Sequence, residues 1–126
     1  MPLPPYAKEL AQARRQGLVP MLGCGWFVVA LGWEVHRRIP DQGRFPRVVL
    51  PLDVAVQNYD LRPLAGLDLL LVFDRPDASR VQEVAECLLA IRPRTLTSCP
   101  LDARGSGDWH CWHEPGETIW KAGHGA

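Results

Sequence analysis

The stretch LDLLLVF, residues 67–73, constrains this chain more than any other. Six of its seven residues are large and apolar, and they do not alternate with polar ones. A strand with one wet face alternates; an unbroken run needs apolar cover on both sides. That requirement is met when helices lie on the two faces of a mostly parallel sheet. The chain of 126 residues is about the length of one domain and can bury a core of its own without metals or disulfides.

The segments around this run fit that architecture. WFVVALGW (26–33) reads as a buried strand bracketed by Gly25 and Gly32, and RVVLPL (47–52) as a second strand with Pro51 near its end. EVHRR (34–38) opens a short helix between them, while 53–66 is left undecided by Pro63 and Gly66. Residues 78–92 form the strongest helix: Val81, Val84, Leu88 and Ile91 make one apolar stripe, and Ser79 with Gln82 fits a capping box. Pro93 ends that helix, and TLTSCPL (95–101) follows as a fourth strand. Residues 6–16 read as an edge helix with Tyr6, Leu10 and Ala13 on one face and Gly17 as its stop. DWHCWHE (108–114) alternates weakly, as an edge strand would, and the last dozen residues look loose. The expectation is a single α/β domain over 1–126: an N-terminal helix (1–17), a core of four to five strands (26–102) with flanking helices, and a C-terminal extension (103–126).

In sheets of this kind ligands sit beyond the carboxyl ends of the strands. That directs attention to Glu34, Asp53, Asp74, Asp77, Ser98 and Asp102. Acids gathered at one lip are what a Mg2+ site requires, because Mg2+ prefers hard oxygen ligands. The plainer reading is that Asp74 or Asp77 starts the helix after the strand and complements its dipole.

The phrase DLRPLAGLDLLLVFDRPDASRVQEVAECLLA (60–90) resembles the second half of Toprim domains of plasmid and phage primases. The earlier FVVALGWEVHRRIPDQGRFPRVVLP (27–51) and the later TLTSCPLDARGSGDW (95–109) fall where that family has its first two strands and its fourth, so the resemblance spans about residues 26–109. It implies a Rossmannoid sheet and a DNA-processing or mobile-element setting. It also implies a glutamate after strand one acting as general acid or base, and paired aspartates on Mg2+. Carried across without gaps, the glutamate falls on Leu31 and the second aspartate on Pro76, and Asp74 alone keeps its carboxylate. The resemblance therefore implies a non-catalytic binding module with a degenerate site. A shifted register would instead recruit Glu34, Asp74 and Asp77 into a Mg2+-dependent enzyme acting on phosphodiesters or nucleotides.

The remaining features bear on partners. No cofactor is called for, and Mg2+ is the one ion the acids would admit. Cys99, His110, Cys111 and His113 are zinc-type ligands, but only the two histidines have ligand spacing, so a zinc-stabilised module is a third reading. Trp109, Trp112 and Trp120, with Arg104, form an aromatic cluster suited either to an interface or to a small satellite core. Acidic and basic residues balance at fourteen each, which weighs against strong non-specific DNA binding but leaves room for a local basic patch. The partner expected is a protein or a nucleic acid. No window suits a membrane span and the N-terminus lacks signal-peptide character, so the expected place is the cytoplasm.

Overall fold

In a computed structural model, described over residues 1–18, 26–39, 46–101 and 118–121, the chain forms an α/β fold around one open sheet. In chain order the elements are α1 (Ala7–Arg15), β1 (Trp26–Leu31), α2 (Trp33–Arg38), β2 (Arg47–Leu50), β3 (Asp68–Asp74), α3 (Ala78–Ala90), β4 (Thr95–Leu101) and β5 (Thr118–Lys121). The strands lie in the order β2-β1-β3-β4-β5. The first four are mutually parallel, and β5 pairs antiparallel with β4.

The unbroken apolar runs are explained by cover on both faces. Leu69, Leu71 and Phe73 point to one side, where β1 adds Phe27, Val29 and Leu31 and the helices add Leu10, Val84 and Leu88. Leu70 and Val72 point to the other, against Val28 and Ala30 of β1 and against Val35 and Ile39 of the α2 segment. Leu69 through Val72 are fully buried, so β3 is the centre of the molecule. At about 25 cal/mol per Å2 of apolar surface, burial on this scale is the main drive for the fold.

Several expectations are corrected. β1 ends at Leu31 rather than at residue 33, because Gly32 takes a left-handed φ of 100° and turns the chain into α2. Trp33 thereby opens a helix and is 40% exposed instead of lying in the core. Tyr6 is not on the buried face of α1; it caps the helix start at φ 70° and is exposed. The capping box at Ser79 and Gln82 does not form, since a 3-10 turn (Arg75–Asp77) runs straight into α3. Asp77 then has φ −95° and ψ 9°, not the extended cap geometry, and its side chain makes no capping hydrogen bond. The undecided stretch 53–66 holds two 3-10 turns, Val56–Asn58 and Arg62–Leu64. The last dozen residues are not wholly loose, because Thr118–Lys121 extends the sheet as β5. The edge strand expected at 108–114 lies outside the described residues.

The opposite sheet edge is closed by the N-terminal segment. Val49 of β2 donates its N–H to the Pro5 carbonyl at 3.4 Å, and Asp60 donates to the Pro2 carbonyl at 2.9 Å. Prolines at 2, 4 and 5 have no N–H to offer, so this strap accepts from the edge strand without presenting a donor row of its own.

Candidate functional site

The strand order places a switch point between β1 and β3: the chain leaves β1 towards β2, then returns to add β3 on the other side. Ligand crevices in parallel sheets form beyond the strand ends at such a point. Here an open cleft of about 290 Å3 is lined by Leu31 and Gly32 after β1, Asp53 after β2, and Asp74 and Asp77 after β3, with Glu34 and Arg37 from α2. Four of the five acids singled out in the sequence, Glu34, Asp53, Asp74 and Asp77, thus line one cleft. Ser98 is not at this lip; it pairs with Leu71 in mid-strand, because β4 runs on to Leu101. Asp102 lies outside the described residues.

Gly32 is needed where it stands. A side chain there would meet the φ penalty, and its Cβ would sit 3.1 Å from Leu52 Cγ and Cδ1. The tight turn brings the start of α2 over the strand ends, which carries Glu34 and Arg37 to the cleft and Arg38 to Asp74.

Two of the acids are engaged by arginines on that same helix. Glu34 pairs with Arg37 one turn on, and both are largely exposed, so this contact contributes little to stability. Arg38 Nη2 lies 2.9 Å from Asp74 Oδ2, and the two side chains are 26% and 32% exposed. Nη2 is buried and close enough for an ion pair, but off the N–H direction that a hydrogen bond needs. Asp74 therefore neither caps α3 nor stands free; it neutralises a cation from across the switch point. Arg80 of α3 adds a third guanidinium nearby, donating to the Leu52 carbonyl. Among the described residues no three His, Cys, Asp or Glu side chains are grouped so that they could hold a metal ion.

The arginine pairing was not visible in the sequence, since Arg38 and Asp74 are far apart along the chain and meet only through the register of β1 with β3. Trp33 stands at the cleft mouth within an aromatic group: it meets His36 edge-on at 5.6 Å and Tyr6 at 6.4 Å, and Tyr6 lies over His36 at 5.4 Å.

The other proposed ligands fall elsewhere. Cys99 sits opposite Val72, packed against the second core face, and burial pushes its thiol up to about 11. A thiol held neutral is a weak nucleophile and a reluctant zinc ligand. His110, Cys111, His113, Arg104, Trp109 and Trp112 lie outside the described residues, and Trp120 is placed only as a backbone partner of Leu96 in β5. A larger cleft of about 460 Å3 lies away from the strand ends, between the Val56–Asn58 turn and the end of α3. Its one thiol, Cys87, is raised by burial and by Glu83 and Glu86, and its one carboxylate, Asp60, is held down by Arg62. No described helix is long and apolar enough to cross a membrane.

Comparison with protein-family models, with curated proteins and with solved structures gave no match.

Proposed function

We propose that the protein is a non-catalytic, Toprim-like binding module that acts by docking to a protein or nucleic acid in DNA processing. The observation that carries this is the ion pair between Arg38 and Asp74 across the switch point, at 2.9 Å. Asp74 is the one carboxylate that the ungapped resemblance retains, and here a guanidinium occupies its charge. Leu31 and Gly32 stand at the end of β1, where the resemblance places a proton-transfer glutamate. Leucine has no proton to exchange, and one neutralised carboxylate is a poor Mg2+ ligand.

A second reading has one specific observation in its favour: Glu34, Asp74 and Asp77 line one cleft, joined by Asp53. In that reading Mg2+ displaces the arginines and the protein cleaves or transfers phosphodiesters or nucleotides.

Thermal unfolding with increasing Mg2+ or Mn2+ separates the two. A bound metal raises Tm by mass action, about 2.7 kcal/mol at a hundredfold excess over Kd. The binding module shows no metal-dependent rise. A rise that Asp74→Asn abolishes would overturn the metal-free module and favour the Mg2+-dependent reading instead.

A further inference from the structure

The pole of the sheet opposite the cleft carries several arginines that, among the described residues, no carboxylate answers. Arg14, at the end of α1, donates from Nη1 to the Pro63 carbonyl at 2.5 Å, and its Nη2 lies 4.0 Å from where Gly66 would carry a Cβ. Gly66 in turn donates its N–H to the Arg92 carbonyl at 3.1 Å, and Arg94 donates its N–H to the Leu67 carbonyl at 2.8 Å. The turn 63–67 is thus held by the Arg14 side chain and by the backbone of the Arg92–Arg94 segment, so arginines from two separate parts of the chain meet it beside the starts of β3 and β4. Arg94 is matched by Asp68, but among the described residues Arg14, Arg15 and Arg92 have no acidic partner, and all three are exposed.

Arg92 adds an independent sign. It follows α3 at φ 56°, the left-handed position where helices ordinarily end on glycine. A charged, β-carbon-bearing residue kept at a strained position is the kind of local conflict that marks a surface in use.

We propose that this rim contacts the phosphate backbone of a nucleic acid. Guanidinium groups match phosphate oxygens in a planar, two-pronged geometry. Protein interfaces do use arginine, but set it among aromatic and apolar anchors, whereas nucleic-acid interfaces are polar and strongly positive. Leu18, three residues after Arg15, is exposed. Because the whole chain is neutral, the contact is local: each arginine on a phosphate adds about −0.9 to the slope of log K against log salt. This deepens the binding-module reading by choosing nucleic acid, but uses residues remote from the cleft.

The test is fluorescence anisotropy of a labelled duplex DNA at low salt, with the full chain, its Arg92→Gly and Arg14→Ala variants, and polyglutamate as competitor. Arg92→Gly relieves the left-handed strain, so it raises Tm while weakening binding several-fold and reducing the salt slope by about one. Arg14→Ala weakens binding likewise. Unchanged affinity in a stabilised Arg92→Gly protein would overturn the proposal, as would no binding by the parent chain. Polyglutamate competing as well as unlabelled DNA would overturn it in favour of an acidic protein partner. None of these outcomes bears on whether the cleft binds metal, which the Mg2+ titration decides.

Discussion

Asp68 accepts hydrogen bonds from Arg94 Nε at 2.9 Å and from the Thr95 hydroxyl at 2.7 Å, with a further bond from Arg94 Nη2. Burial alone would raise its carboxyl, but these bonds and the charge of Arg94 outweigh it and hold the group below the ordinary carboxylate range. Asp60 is lowered to about 2, chiefly by its hydrogen bonds from Arg62. Both folded values lie below the unfolded ones. The stability they confer is therefore complete above about pH 4 and is lost as pH falls through the folded values. Asp68→Asn keeps the shape and removes the charge, so it costs about 1–2 kcal/mol at neutral pH, after allowing for Arg94 being largely exposed. Urea unfolding from pH 7 to pH 2 checks this: the parent loses stability on the acid side, and Asp68→Asn gives a shallower acid limb. The sequence could not reveal this clamp, because it joins the starts of β3 and β4 across the length of α3. The same blindness hid the pairing of Arg38 with Asp74. Charge partners set by sheet register leave no mark on local pattern.

Elements were legible where the apolar pattern was long. The apolar pattern matches β4 over its full span and α3 to within two residues, because Val84 and Leu88 face the core and Pro93 stops the helix. The pattern matches β3 to within one residue, and its lack of alternation agrees with two covered faces. The failures lie at short elements and at turns. β5 is four residues long and shows no pattern above its surroundings. Gly32 broke β1 earlier than the apolar run suggested, and the 3-10 turn before α3 overrode a capping box that was correct in letters alone. The two-faced sheet makes a quantitative demand. Leu71 packs among the residues under α1 and α3, while Leu70 packs on the thinner side under α2. Both are fully buried. Leu71→Ala and Leu70→Ala should each cost about 3–5 kcal/mol, as buried leucine truncations do when the surroundings cannot close the cavity. Denaturant titration of the two variants checks this; a cost below 1 kcal/mol in either would mean that face is not packed.

At the scale of the whole molecule, the fold separates two regions with different charge logic. At the carboxyl ends of the strands, acids and arginines meet and offset one another across the switch point. At the amino ends, among the described residues, arginines outnumber the acids that answer them. A neutral chain can therefore still present a cationic pole, which total charge alone conceals. The site was legible in outline, as acids at the exits of the strands, because strand ends can be placed from apolar runs. Its character was not, because that depends on which cations α2 brings across. The most direct measurement is the paramagnetic resonance signal of free Mn2+ titrated with the protein at neutral pH. A cleft in which Arg37 pairs with Glu34 and Arg38 with Asp74 leaves that signal at full height at stoichiometric protein. A stoichiometric loss of signal, restored by Asp74→Asn, would contradict it.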